Sequence, residues 1–417
     1  MTFEASHESH SYWQTTTPHF QLSTDPPPRT EVAIIGGGIM GVATAYWLAK
    51  AGVEVCLLEQ TALAYGATGR NGGFVALGHA QAYPTACHHL GKETAQALLR
   101  LTLANQALIR QVLAEEQITC GYRNAGGIHL ATDEQHWSLL SQEATLLRAE
   151  GVHATMLDRK ELQERIKTPL SPEILGGRWL DEDGVWHPLH FLSGLLHAAQ
   201  RSGARAYHAK VERLALDQGY PLLHTTRGPL HAGTVIVATN AWMHELLPLY
   251  RDLIIPVRGQ MLSYAPMPNV FPGAMSASLS STEEYWQQRA DGTIVLGGCR
   301  AVAPNADAHV MQSTPTPEVQ TALESIFPRL FPHLTPLHVQ QRWAGLMAFT
   351  PDLLAIADQV PDQPGVWAVG GFSGHGMPFG LRLSQLLAEA ITTGRRPDDL
   401  KLFRQDRPTL RTSPTTQ

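Results

Sequence analysis

The sequence predicts a two-domain α/β protein: a doubly wound, mostly parallel sheet, joined to a second α+β domain on a largely antiparallel sheet. Three observations carry this. A strand–glycine turn–helix–strand unit occupies residues 31–59, and two more short apolar runs, Thr234–Thr239 (TVIVAT) and Val366–Val369 (VWAV), have the character of buried parallel strands. Between them, Ile254 to about Trp343 reads as strand and loop, rich in Pro and Ser. At 417 residues the chain has room for two or three domains at ~150 residues each.

Composition narrows the class. Lys and Arg number 31 against 37 Asp and Glu, a net charge of −6, and charged residues make up 16% of the chain. The acidic balance argues against a nucleic-acid partner, which calls for a basic stripe. Few charges in so long a chain point to a large core or a buried ligand. Cys56, Cys87, Cys120 and Cys299 lie far apart with no C-x-x-C pair, so neither a zinc site nor a disulfide framework is expected, and a reducing cytoplasmic setting is. MTFEASHESH has no basic or apolar leader segment. Val32–Ala49 carries no charge over 18 residues, but Gly36, Gly37, Gly38 and Gly41 divide it into strand and helix, so no integral membrane segment is expected.

In order along the chain, residues 1–30 read as a polar extension with a stiff Pro26–Pro28 linker. Glu31–Ile35 is a buried strand, Gly36–Gly41 the turn, Ile39–Lys50 a helix ended by Gly52, and Val53–Leu58 a second strand closing on Glu59. Helices are expected over 94–116, 133–150, 189–201, near 317–327 and over 381–391; Gly126–Ala131 is expected as a strand and Gly176–Pro188 as a hairpin. The first domain is expected to comprise 31–90, 145–245 and 346–405, the second 91–144 and 246–345, and 406–417 a flexible tail.

Gly36-x-Gly38-x-x-Gly41 carries the chemistry, because its context is complete: strand before, helix after, and Glu59 at the end of the next strand. Gly36 makes the tight turn, Gly38 lets the backbone approach a pyrophosphate, and Gly41 allows close helix–strand packing. Phosphates then meet the helix N–H groups and dipole, while Glu59 can accept from a ribose diol. Gly66–Phe74 (GATGRNGGF) is too glycine-rich for a core element and offers a hydroxyl, a guanidinium and bare N–H groups beside that ribose.

EVAIIGGGIMGVATAYWLAKAGVEVCLLE, GATGRNGG and VGGFSGHGMPFG together resemble the D-amino-acid-oxidase-like superfamily of FAD enzymes, with likeness to glycine oxidase, sarcosine oxidase and gamma-glutamylputrescine oxidase. Ser11-Tyr12-Trp13 and the GRNGG loop favour the last branch. The resemblance implies a GR2-type FAD-binding Rossmann-like domain. It places Gly36, Gly38, Ile39, Met40 and Gly41 at the pyrophosphate and Glu59 and Gln60 at the adenosine ribose. Thr68, Gly69, Arg70, Asn71, Gly72 and Gly73 run towards the flavin, Val211 meets adenine through its backbone, and Ala238, Thr239 and Asn240 close the cofactor side of the sheet. Gly371, Gly374, His375, Gly376 and Met377 lie at the flavin's pyrimidine edge, where a helix N-terminus favours the anionic reduced ring.

Three departures matter. Gly345 stands where sarcosine-oxidase-like members attach flavin to a cysteine, so non-covalent FAD is expected. Met347 stands where glycine-oxidase-like members carry a carboxylate-clamping arginine, which favours amines lacking an adjacent carboxylate. Residues 251–345 contain no lysine to activate oxygen, though they include Arg258, Arg289 and Arg300. The expected reaction is oxidation of a C–N bond in a small amine or amino acid, with molecular oxygen or another electron acceptor. A dehydrogenase passing electrons to a quinone or carrier protein, or a non-oxidase FAD tailoring protein, is the alternative. Arg258, Tyr264, Phe349 and His375 are the candidate substrate-side residues, and His88-His89 is not expected to bind metal.

Overall fold

The computed structural model describes residues 9–411, so the expectations for 1–8 and 412–417 lie outside the described residues. Two eight-stranded sheets organise the chain. In the first, Arg29–Ile35 lies between Gly228–Val237 and Val55–Glu59, parallel to both. Val366–Gly370 extends it in parallel beyond Gly228–Val237, and Arg205–His208 beyond Val55–Glu59. Ile356–Gln359 closes one edge antiparallel, and the hairpin Val211–Asp217 with Tyr220–Thr225 branches from Gly228–Val237.

The pleat of Arg29–Ile35 sends alternate side chains into two cores. Val32 and Ile34 join the core formed with the helices Ile39–Lys50, Lys92–Glu115, Pro188–Arg201 and Gly376–Thr393. Ala33 and Ile35 pack on the opposite side with Met243, Leu247 and Tyr250. This explains the charge-free run: Ile39–Lys50 is 12 residues long and buried among protein. Among the described residues no helix is long and apolar enough to cross a membrane.

The second sheet runs in the order Val339–Phe349, Ile255–Tyr264, Ile294–Gly297, Glu284–Gln288, Ala274–Ala277, Gly127–Ala131, Gly176–Leu180, Ala154–Asp158. All neighbours are antiparallel except Ala274–Ala277 with Gly127–Ala131.

Several boundaries differ from the sequence expectation. Ala154–Asp158 and Gly176–Leu180 belong to the second sheet, so the segment after residue 145 does not return to the first domain until past Leu180. Gly176–Pro188 is not one hairpin, because Gly184–Val185 pairs instead with Phe74–Val75. Helix Lys92–Glu115 sits with the first domain, its Leu98, Leu101, Ile109 and Val112 feeding that core. Residues 406–411 are not a free tail: Arg407 grips the Asp352 carboxylate through two nitrogens, Thr409 Oγ1 donates to Asp352, and Leu410 is buried. Nor are residues 9–17 a polar lead-in. They include the helix Tyr12–Thr15, with Ser11 in a capping box and Trp13 fully buried.

Candidate active site

The first strand ends in a turn that only glycine can make. Gly36 has φ +113°, and a β-carbon there would lie 2.8 Å from the Ala238 carbonyl oxygen. A β-carbon at Gly41 would collide with the Gly36 carbonyl, so the third glycine serves helix–strand contact, as its spacing suggests. Gly38 is the N-cap, with an extended backbone, and a β-carbon there would meet only Thr68 Oγ1, at 3.3 Å, on the cavity side. The helix it starts therefore presents its first amides to a void, the arrangement that binds phosphate. Thr68 Oγ1 takes one of them, accepting from Ile39 N at 3.0 Å.

Glu59 accepts from Gly37 N and Thr61 N, both at 2.7 Å. Burial raises its carboxyl above the usual range, and those backbone donors oppose the rise. The Gly66–Gly73 loop is pinned from outside. Asn71 bonds the Ala67 and Thr68 carbonyls and accepts from Gly73 N, while Gln287 Nε2 donates to the Gly72 and Gly73 carbonyls. Arg70 is spent on backbone, donating to the Tyr65 carbonyl at 2.8 Å and the Ala344 carbonyl at 2.8 Å.

These groups open onto one cavity of about 1870 Å³ that crosses from the glycine turn to the face of the second sheet. That exceeds the roughly 300–1,000 Å³ of an ordinary ligand pocket, and suits a dinucleotide with a substrate beside it. Gly36, Gly38, Ile39, Met40, Glu59, Gln60, Thr68, Arg70, Asn71, Gly72 and Val211 line the cavity. So do Thr239, Asn240, Phe349, Gly374, His375, Gly376 and Met377. Gly69, Gly73 and Gly371 do not line it; they shape the loops by close packing on Ala64, Gln287 and Thr350. Helix Gly376–Thr393 starts five residues earlier than its sequence suggests, because Gly380 packs on Ile39, and His375 thereby becomes its N-cap residue. Asn240 Oδ1 accepts from Gly371 N at 3.0 Å and ties the two cofactor loops together. Thr239 Oγ1 and His375 Nδ1 are buried with no hydrogen-bond partner. The open N-cap and these two unpaired polar atoms fit a bound FAD.

Two substrate-side expectations are corrected. Arg258 does not line the cavity: its guanidinium forms a bidentate ion pair with Asp307 (2.9 and 2.7 Å) and donates to the Thr314 carbonyl. Tyr264 is core, packed on Phe327 away from the cavity, with burial pushing its hydroxyl pKa up. Phe349 does face the cavity, and the Arg300 guanidinium lies 5.0 Å from its ring centroid.

Arg300 is the residue the sequence reading left without a role. It follows strand Ile294–Gly297 through the left-handed Cys299, lines the cavity, and has no ion pair among the described residues. Burial disfavours its charged form. Nearby, His129 Nδ1 lies 3.1 Å from Glu283 Oε1, and His129 Nε2 lies 3.1 Å from Ser278 Oγ. Burial alone would raise Glu283, but His129, His375 and Arg178 hold it down at about 2. The substrate side thus carries the Glu283 carboxylate and the Arg300 guanidinium, which act on Tyr285 ionisation in opposite directions. A Gly-Gly-Cys-Arg run after an apolar strand was the only trace of this in the sequence. Among the described residues no group of three or more His, Cys, Asp or Glu side chains could hold a metal ion.

Comparison with known proteins agrees with this geometry. The chain is 26% identical over 391 residues to a probable oxidoreductase OrdL of Rhizobium meliloti, covering 91% of this chain and 87% of that protein. It is 23% identical over 369 residues to the gamma-glutamylputrescine oxidoreductase of Escherichia coli, covering 87% and 83%. The crystal structure of glycine oxidase from Geobacillus kaustophilus superposes with a TM-score of 0.79 at 22% identity, covering 91% of this chain and 99% of that one. The family described as FAD dependent oxidoreductase, DAO, matches residues 31–390, and the chain belongs to that family of FAD-dependent enzymes.

Proposed function

We propose that this enzyme oxidises a C–N bond in a small amino compound that carries an anionic group, and that Arg300 holds that group. The observation that carries the reading is Arg300 itself: a largely buried cation beside Phe349 in the cofactor cavity, with no ion pair among the described residues. A desolvated charge without a partner is costly, and a bound carboxylate would neutralise it through two parallel hydrogen bonds. This replaces the expectation drawn from Met347, because the cation enters from a different strand end.

Bound FAD supplies the two-electron, hydride-accepting chemistry. The protein's residues orient the substrate and manage its proton. Glu283, held ionised, attracts the substrate's ammonium group, and His129 and Ser278 offer a hydrogen-bonded route for the proton that must leave nitrogen before hydride departs from the adjacent carbon. His375, kept neutral by burial, presents its imidazole at the helix N-terminus. The imine product hydrolyses to a carbonyl and ammonia or an amine.

The test is kcat/KM for an amino acid against an alkylamine of equal length, with a dye as acceptor, in wild type and Arg300→Met. The amino acid should lead in wild type, and Arg300→Met should erase that lead, about 100-fold for a charge-assisted pair of roughly 2–3 kcal/mol. An alkylamine that leads in wild type would overturn the reading. Molecular oxygen is the expected acceptor; one observation favours a carrier instead, since no lysine lines the cavity among the described residues. Oxygen uptake measured against dye reduction separates the two.

A further inference from the structure

The segment Ser9–Thr17 precedes the glycine fingerprint by about twenty residues, yet the structure wraps it around the Gly66–Gly73 loop. Ser11 Oγ donates to the Gly69 carbonyl, and Trp13 Nε1 donates to the Asn71 carbonyl at 2.7 Å. The Arg70 guanidinium reaches back to the Ser9 carbonyl at 2.5 Å. Three successive loop residues are thereby fixed to one short stretch of chain.

That stretch is itself held firmly. The capping box at Ser11 sets the helix Tyr12–Thr15, and the Trp13 indole lies edge-on to His187 with the Arg289 guanidinium 5.5 Å from its ring. Further ties run to the second domain: Ala344 N donates to Ser9 Oγ at 3.0 Å, Gln341 Nε2 to the His10 carbonyl at 2.7 Å, and the Tyr12 hydroxyl to Asp291. The clasp therefore spans both sheets and fastens on a glycine-rich loop that borders the cofactor cavity.

We propose that Ser9–Thr17 is a cofactor clasp, and that Ser11 and Trp13 are positioning residues which set how long FAD stays bound. Both side chains occupy backbone carbonyls on the outer side of the loop. Holding the Asn71 carbonyl outward fixes the peptide whose other end, at Gly72, borders the cavity, while Ser11 holds the Gly69–Arg70 peptide, whose N–H closes the turn on the Ala67 carbonyl at 3.2 Å. Loss of either donor frees the loop to rotate, and the bound state then has to order it again. The inference rests on FAD binding alone and is independent of which substrate is used.

The experiment follows FAD release from holoenzyme by the rise in flavin fluorescence on dilution, together with the thermal melt of each variant by far-ultraviolet circular dichroism. Ser11→Ala and Trp13→Phe remove single donors; Ser11→Thr keeps one. Thr17→Val is the structural control, because Thr17 Oγ1 bonds only the Trp13 carbonyl within the segment, at 2.7 Å. Release should be at least fivefold faster in Ser11→Ala and Trp13→Phe and near wild type in Ser11→Thr and Thr17→Val, whatever the melting shifts. Release within twofold of wild type in Ser11→Ala would overturn the proposal, and the Ser11 pair decides it even where Trp13→Phe fails to fold.

Discussion

A β-carbon added at Gly38 would meet only the Thr68 hydroxyl, at 3.3 Å, so the apoprotein can accept a side chain there. The branched carbons of valine would extend into the space in front of the helix amides, where a pyrophosphate has to lie. Gly38→Val should therefore fold and purify colourless, with flavin absorbance at 450 nm lost relative to protein absorbance. A yellow Gly38→Val protein would contradict the placement of the phosphates. At this scale the sequence was informative where backbone chemistry leaves few choices. Gly36, Gly38, Gly41 and Glu59 stand where their spacing puts them, since turn, approach and cap all depend on local geometry. Arg258 and Arg300 could not be told apart in the same way. Each follows or lies in a strand of the second domain, and only the partner decides: Asp307 captures Arg258, whereas Arg300 meets the Phe349 ring and has no ion pair among the described residues.

The strand Val339–Phe349 shows what a single element contributes. Its neighbour is Ile255–Tyr264, with Gly345 opposite Gly259 and Met347 opposite Val257. Gly345 faces the stem of Arg70, and a β-carbon there would lie 2.8 Å from Arg70 Cβ. A cysteine could not take that position unless the Arg70 side chain moved, and that side chain is tied to the Ala344 and Tyr65 carbonyls. The flavin is accordingly expected to be non-covalent: acid precipitation should leave the yellow colour in the supernatant, and a yellow pellet would refute it. Element boundaries were less legible. The first turns of Gly376–Thr393 look like loop in sequence because they hold two glycines and a proline, but proline suits a helix start and Gly380 is required by contact with Ile39. The clasp was equally hidden, since Ser-Tyr-Trp in a polar segment becomes a helix only against the loop it holds.

Across the whole molecule, the protonation of buried histidines links stability to pH. Burial lowers His79 to about 4 and His187 to about 2, with His375 and His190 respectively adding to the shift. In the unfolded chain both titrate near 6.5, so below that pH the unfolded state binds protons that the folded state refuses, and stability falls with falling pH. Between pH 6.5 and pH 5 each should remove about 2 kcal/mol. Urea midpoints measured at pH 7 and pH 5 check this, and a midpoint that rises on acidification would overturn it. Fold class was legible at this scale because alternating short apolar strands and helices leave few architectures. The domain boundaries were not, because the chain passes between the two sheets repeatedly and no composition change marks the crossings.

The tie between Asn240 and Gly371, and the grip of Arg407 on Asp352, have a consequence for how the enzyme is made. The phosphate-binding turn is synthesised long before His375 and the strand Val366–Gly370 that completes the sheet beside it. At roughly 5–20 residues per second, the fingerprint waits on the order of 20–70 s for its other half. The nascent chain cannot close its cofactor site until that second segment has emerged, so FAD capture lags well behind synthesis of the fingerprint. Flavin supply in the cell would then act on chains that already carry both halves of the site, and a shortage of riboflavin should accumulate colourless chains that include both.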